Sequence, residues 1–209
     1  MIAYLLTASL LISPTAFAEA PAEGDAPAQQ QATVGEKAPD FTLPTHDAKG
    51  AFTLSEYAGK TVVLEWFNPA CPFVVAAHEK DGVLENMAKK VSSDDVVWIA
   101  VNSTSVDHKG HSPDDNTNAK KEWKMDHHVV LDADGAVGHT YNARTTPHMY
   151  VVAPDGTLAY DGAVDNHPRG KGEGKHVNYV QDALDAIAAG EAVKNGKTKP
   201  YGCSVKYAD

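Results

Sequence analysis

Val62-Val63-Leu64-Glu65-Trp66-Phe67-Asn68-Pro69-Ala70-Cys71-Pro72-Phe73-Val74 is the stretch on which the reading of this chain turns. Val62 to Phe67 is apolar except for Glu65, the pattern of a buried parallel strand. Asn68 and Pro69 end it. Cys71 stands directly before Pro72, and proline suits the first position of a helix because its missing N–H has no partner to lose there. Phe73, Val74, Ala77, Leu84, Met87 and Ala88 fall on one helical stripe, which predicts a helix over residues 72–90. A strand therefore runs through a tight turn into a helix whose start carries a thiol. Thiols attack as thiolates, and the free N–H groups and partial positive charge of a helix start favour that form. The alternative is an inert core cysteine.

Outward from this turn, strands and helices alternate. Val96 to Val101 reads as a second buried strand. Ser112-Pro113-Asp114-Asp115 has the form of a helix start, with Ser at the N-cap, and that helix is expected to run to about Met125. Val129 to Leu131 reads as a short strand and Ala136 to Tyr141 as a short helix. Met149 to Val152 and Leu158 to Ala163 flank Pro154-Asp155-Gly156-Thr157, a strong hairpin signal. Tyr179 to Ala189 reads as an amphipathic helix ended by Gly190. The order β-α-β-α-β-α-β-β-α implies a layered α/β domain with helices on both faces of the sheet.

The 209 residues carry a formal net charge of −10. That balance argues against a nucleic-acid partner, which would call for a basic footprint. Met1 to Ala18 contains no charged residue, and its apolar run from Leu5 to Ile12 is too short to span a bilayer. Ala16-Phe17-Ala18 has the small-x-small form of a signal-peptidase site. Residues 1–18 are therefore expected to be a signal peptide, giving a periplasmic or secreted protein with no membrane contact after cleavage; the alternative is a short uncleaved anchor. Residues 19–33, rich in Ala, Pro, Gln and Glu, read as a disordered linker. Residues 34–190 form the expected domain and 191–209 a C-terminal tail.

The chain has two cysteines, Cys71 and Cys203. In an oxidising compartment they form either one structural staple or a redox pair. The surroundings of Cys71 carry a resemblance that bears on the choice. Trp66 to Val74 is similar to the strand-to-helix turn of thioredoxin-like redoxins of the AhpC/TSA type. Thr145-Thr146-Pro147-His148, followed by Tyr150 to Gly156, resembles the cis-proline segment and last hairpin of that fold. Ala38-Pro39-Asp40-Phe41-Thr42-Leu43-Pro44 looks like the segment leading into the fold in the redoxin and peroxiredoxin branch. Pro200-Tyr201-Gly202-Cys203-Ser204-Val205-Lys206-Tyr207 is similar to the tail of a peroxiredoxin-like group.

The resemblance implies a thioredoxin-like fold with a central mixed sheet. It implies a cis peptide bond before Pro147, beside the active cysteine, with the Thr146 backbone offering strand-addition contacts to an extended substrate. It places Glu65 where thioredoxins hold a buried acid that shuttles a proton; the alternatives are pairing with a lysine or reaching solvent. Val74 stands where a second active-site cysteine would be, and Asn68 where peroxiredoxins carry Thr or Ser. With that position vacated, Cys203 is the remaining candidate to resolve Cys71. It sits in a tail containing Gly196, Pro200 and Gly202, for which no regular structure is expected. The alternative is a Cys203 buried elsewhere and an external resolving thiol.

The expected function is a redoxin-type thiol oxidoreductase that acts through Cys71 on a protein disulfide or a peroxide. Electrons would come from an external thiol reductant and no cofactor would be needed, because they reside on sulfur. The expected site is Cys71, Cys203 and Glu65 for the chemistry, with Asn68, Thr146 and Pro147 around the substrate. Rival readings are a non-catalytic thioredoxin-fold binding module and a metal-binding protein using Cys71 and histidines. His108-x-x-His111 and Asp126-His127-His128 are the densest histidine clusters; they are expected to be solvated rather than ligands, so no metal is assigned. Gly170-Lys171-Gly172-Glu173-Gly174-Lys175 lacks the context of a phosphate loop and reads as a flexible connection.

Overall fold

The structure, a computed structural model, describes residues 30–79 and 82–208. The expected signal peptide and most of the expected linker lie outside the described residues. A hairpin of β1 (Thr42–Pro44) and β2 (Ala51–Thr53) comes first. It precedes β3 (Thr61–Trp66), which is buried along its whole length. Then follow α1 (Pro72–His78), α2 (Val83–Val91), β4 (Val96–Asn102), α3 (Pro113–Glu122), β5 (His128–Leu131) and α4 (Ala136–Tyr141). The chain ends with β6 (Thr145–Thr146), β7 (His148–Val152), β8 (Leu158–Gly162), α5 (Tyr179–Ala188) and β9 (Cys203–Ser204).

The central sheet has the order β5-β4-β3-β7-β8. β3 is parallel to β4 and antiparallel to β7, so the sheet is mixed. Period-2 alternation sends Val62, Leu64 and Trp66 to one face and Val63, Glu65 and Phe67 to the other. The first face packs under the β1–β2 hairpin, Tyr141 of α4 and Val205 of the C-terminal segment. The second packs under residues of α1, α2, α3 and α5. Apolar side chains on both faces are what put β3 at the middle of the domain: each buried Val or Leu contributes about 1.5–3 kcal/mol relative to exposure.

Two expectations change in detail. The helix over residues 72–90 is two helices. Glu79 turns extended, with ψ 175°, and Gly82 caps α2. Gly82 lies so close to the end of α1 that a Cβ there would fall 2.2 Å from the Ala77 carbonyl oxygen. Of the expected stripe, Ala77, Leu84, Met87 and Ala88 share one cluster, while Phe73 and Val74 pack in the next. The helix from Ser112 ends at Glu122 rather than near Met125, because Lys124 takes a left-handed φ of 55°. Its N-cap is as expected, with Ser112 Oγ accepting from the Asp115 N–H at 3.1 Å.

The C-terminal segment, expected to lack regular structure, is fastened along the domain. The Asp161 N–H donates to the Gly196 carbonyl, and the Thr198 N–H to the Asp161 carbonyl, along the edge of β8. β9 pairs antiparallel with β6, and Val205 enters the core. Tyr207 stacks on His139 with ring centroids 4.0 Å apart and donates to the Ala143 carbonyl. An open sheet edge and two apolar anchors supply what local propensity does not. At the other end, the Ala32 N–H donates to the Thr140 carbonyl, which fastens the last residues of the expected linker to the domain. No helix among the described residues is long and apolar enough to cross a membrane.

Candidate active site

β3 delivers the turn. Trp66 Nε1 donates to Ser103 Oγ at 2.9 Å, and the Phe67 N–H extends the ladder to Val101. The Asn68 carboxamide then shapes the turn: Oδ1 accepts from the Ala70 N–H at 2.7 Å, and Nδ2 donates to Thr104 Oγ1 and the Lys109 carbonyl. With all these groups engaged, Asn68 is turned inward and offers little to a substrate. Cys71 is the N-cap of α1 and Pro72 its first residue.

Three segments distant in sequence meet at Cys71. Its thiol donates to the Thr146 carbonyl at 3.1 Å. Thr146 precedes a cis bond to Pro147. In the β6–β9 ladder Thr146 is the register partner of Cys203. Both thiols are free; Cys71 is only 3% exposed and Cys203 is partly exposed. Gly202 makes this approach possible: its φ is 142°, and a Cβ there would lie 2.1 Å from the Thr146 carbonyl oxygen. Tyr201, before the pair, donates to Asp165 Oδ1 at 2.7 Å, and Val205, after it, donates its N–H to the Arg144 carbonyl.

The electrostatics separate the two thiols. Burial raises the Cys71 thiol, but the Cys203 side chain, Thr146 and the Val74 and Cys203 backbones outweigh it, and the net shift is downward. Burial, and then Cys71 itself, push Cys203 up to about 11. Of the two thiols, Cys71 is thus the one that ionises more readily. The Thr146 hydroxyl is buried without a hydrogen-bond partner in this state, so it is ready to donate to a thiolate. Thr146→Val is therefore expected to raise the titration of Cys71 by about one pH unit, from the worth of one hydrogen bond. Alkylation rate against pH measures this: the native thiol should titrate below the free value of about 8.5. A native curve at or above that value would remove Cys71 as the reactive group.

Glu65 is fully buried and ion-paired. Its Oε1 lies 2.7 Å from His78 Nε2, and its Oε2 accepts from Trp98 Nε1 at 3.1 Å. His78 Nδ1 faces Glu85 Oε2 at 3.4 Å, and Lys89 approaches the other Glu85 oxygen at 3.0 Å. Burial lowers the His78 pKa, but Glu65 and then Glu85 overcome it and raise it to about 9. His78 is therefore an imidazolium, stacked on Trp123 at the end of α1. The partner of Glu65 is thus a histidine, not the lysine or solvent considered from sequence. The signal for it was an unpaired acid in an apolar strand, which needs a cation nearby.

The histidine clusters divide. His111 Nδ1 is engaged by the His108 carbonyl at 2.7 Å. His127, expected at the surface, is instead buried against Trp98 and His78; burial lowers its pKa to about 4 and leaves Nε2 without a partner. No group of three or more His, Cys, Asp or Glu among the described residues is arranged to hold a metal ion.

A family model described as Redoxin matches residues 33–180. No curated protein matches the sequence. Among solved structures, a hypothetical protein from Sinorhizobium meliloti is 26% identical, covering 86% of this chain and 97% of its own with a TM-score of 0.74. An uncharacterized conserved protein from Geobacillus kaustophilus is 25% identical, covering 84% of this chain and 93% of its own, also with a TM-score of 0.74. A putative thiol:disulfide interchange protein DsbE from Chlorobium tepidum is 19% identical, with coverages of 77% and 98% and a TM-score of 0.54; it shares the fold.

Proposed function

This chain belongs to the redoxin family, and from that premise we propose that it is a thiol oxidoreductase cycling between a Cys71/Cys203 dithiol and a Cys71–Cys203 disulfide. One observation carries the reading: β9 seats Cys203 opposite Thr146, the residue whose carbonyl holds the Cys71 thiol. Cys71 attacks as thiolate. With a peroxide it takes one oxygen, becomes a sulfenic acid and releases water or an alcohol. The Cys203 thiol then condenses with it, water leaves, and the disulfide forms. With a disulfide, Cys71 forms a mixed disulfide that Cys203 resolves by displacing the substrate thiol. Two electrons return from an external thiol reductant.

The same strand bears on the substrate. The Thr146 backbone, expected from sequence to receive an extended substrate, is already paired with β9. A protein disulfide could reach it by strand addition only if β9 were displaced, so the geometry favours a compact oxidant. Glu65 acts in this reading as the counterion that fixes His78 beneath Phe67, not as the base that deprotonates Cys71.

Mild oxidation, digestion without reductant and mass spectrometry test the cycle. The expected product is a peptide joining Cys71 and Cys203. Recovery of Cys71 as a sulfenic acid or an external adduct, with Cys203 free, would leave a one-cysteine mechanism instead. The Ala16-Phe17-Ala18 pattern supports export; mature protein beginning at Glu19 is the expected N-terminal sequence, and an intact Met1 would count against it.

A further inference from the structure

Resting on that cycle, we infer that the groove beside the cysteine pair docks the electron donor, and that this donor is a low-molecular-weight thiol carrying a carboxylate. The groove encloses about 430 Å³ and is lined by Phe73, Pro147, Tyr201, His167, Arg169 and His176 among others. That volume falls within the range of small-molecule sites. Its floor touches the chemistry. Phe73 and Tyr201 stand two residues from Cys71 and Cys203, their rings 6.2 Å apart.

Charge selects the occupant. The chain carries −10 overall, yet the segment from His167 to His176 holds Arg169, Lys171 and Lys175 against one acid, Glu173. The Arg169 guanidinium lies 5.2 Å from the centre of the Phe73 ring, directly over the groove. Its backbone is held in the left-handed region, φ 55°, a conformation that non-glycine residues adopt at a cost and that clusters at functional sites. The acid within the groove, Asp165, is already engaged: it accepts from the His167 N–H, the Tyr201 hydroxyl and His176 Nε2. His167 Nε2 is buried without a partner. A carboxylate on the donor would meet Arg169 while its sulfur reached the cysteine pair. A protein donor that binds by strand addition at Thr146 would meet β9 instead.

The chemistry balances with two donor molecules. The first donor thiolate attacks the sulfur of Cys203, the more accessible of the pair. The Cys71–Cys203 bond breaks, Cys71 leaves as thiolate, and Cys203 carries the donor as a mixed disulfide. A second donor thiolate attacks the donor sulfur of that bond. Cys203 leaves, takes a proton from solvent, and the donor departs as its own disulfide. Attack on the other sulfur would have to reach a buried Cys71 and expel the poorer leaving group.

The test reduces the oxidised full chain with 3-mercaptopropionate, 2-mercaptoethanol and cysteamine. Each rate is divided by that thiol's rate on a short uncharged disulfide peptide. The anionic thiol is expected to exceed the neutral one by roughly fivefold at low salt, the upper worth of one partly exposed ion pair. The advantage should collapse at high salt. Arg169→Gln should reduce the ratio toward one, and Arg169→Lys should retain most of it. A ratio near one in the native protein, a preference for cysteamine, or an unchanged ratio in Arg169→Gln would overturn the inference while leaving the disulfide cycle standing. If peptide mapping of the oxidised protein finds no Cys71–Cys203 bond, the cycle fails and takes this inference with it.

Discussion

Cys203→Ser is expected to reduce turnover by about a hundredfold or more, because an oriented internal thiol acts at an effective concentration far above that of an external one. Cys71 should still react once with oxidant and then accumulate as a sulfenic acid or as an adduct of the added reductant. Single-turnover mass spectrometry distinguishes this from a dead nucleophile. Gly202→Ala makes the same point with both thiols present. Its added methyl group would sit on the Thr146 carbonyl oxygen, in a backbone conformation unfavourable to any side chain. Residues 202 and 203 must then lift from β6, and the internal disulfide should form far more slowly although neither cysteine has changed. Fast disulfide formation in Gly202→Ala would show that the β6–β9 pairing does not set the chemistry.

The second large effect concerns stability. Glu65→Gln leaves an imidazolium without its closest counterion in a site with 0% side-chain exposure. Breaking a buried pair from one side costs about 3–5 kcal/mol. The pH dependence carries the signature. The folded protein raises the His78 pKa from 6.5 to about 9. A raised basic group contributes its stability fully below its unfolded value and loses it as pH climbs through the folded value. The native protein should therefore lose on the order of 3 kcal/mol between pH 6.5 and 9, from a shift of this size. Glu65→Gln should be less stable at pH 6.5 and show a flatter decline above it. Denaturant midpoints at the two pH values measure both. A native midpoint that does not fall would mean that His78 is neutral when folded. If Glu65 were instead the base for Cys71, Glu65→Gln would slow thiol exchange by roughly 10²–10⁴-fold at temperatures where it stays folded.

Much of the fold was legible because it is written locally. The apolar run before Cys71, the Ser112 N-cap, the Asp-Gly hairpin and the Gly190 stop each depend on neighbours within a few residues. So does the strand-to-helix turn that positions Cys71. What sequence did not show depends on contacts across the fold. The break between α1 and α2 follows from the close approach of Gly82 to Ala77, inside a stripe that keeps its helical spacing. β9 is two residues long and has no propensity signal; its pairing exists because Thr146 presents an edge to it. His78, at the far end of the helix that Cys71 caps, carries no local signal of its role; only the fold brings Glu65 beside it. His127 adjoined another histidine and an aspartate, which resembled a wet loop, yet it faces Trp98. The position of Asn68 suggests a substrate contact, whereas its hydrogen bonds go to the turn it builds.

Synthesis runs in one direction, and the β6–β9 pairing gives that direction a chemical meaning. Cys71, Thr146 and Cys203 emerge from the ribosome in that order, so the nucleophile is made well before its partner. Until residues 202–207 arrive, Cys71 lies beside an unpaired strand edge that any passing thiol or extended chain can occupy. Residues 202–207 thus act as a seal as well as a reagent. Replacing Tyr207 by alanine would strip the anchor formed with His139 and Ala143. With that anchor gone, Cys71 would meet thiols and extended chains that β9 now excludes.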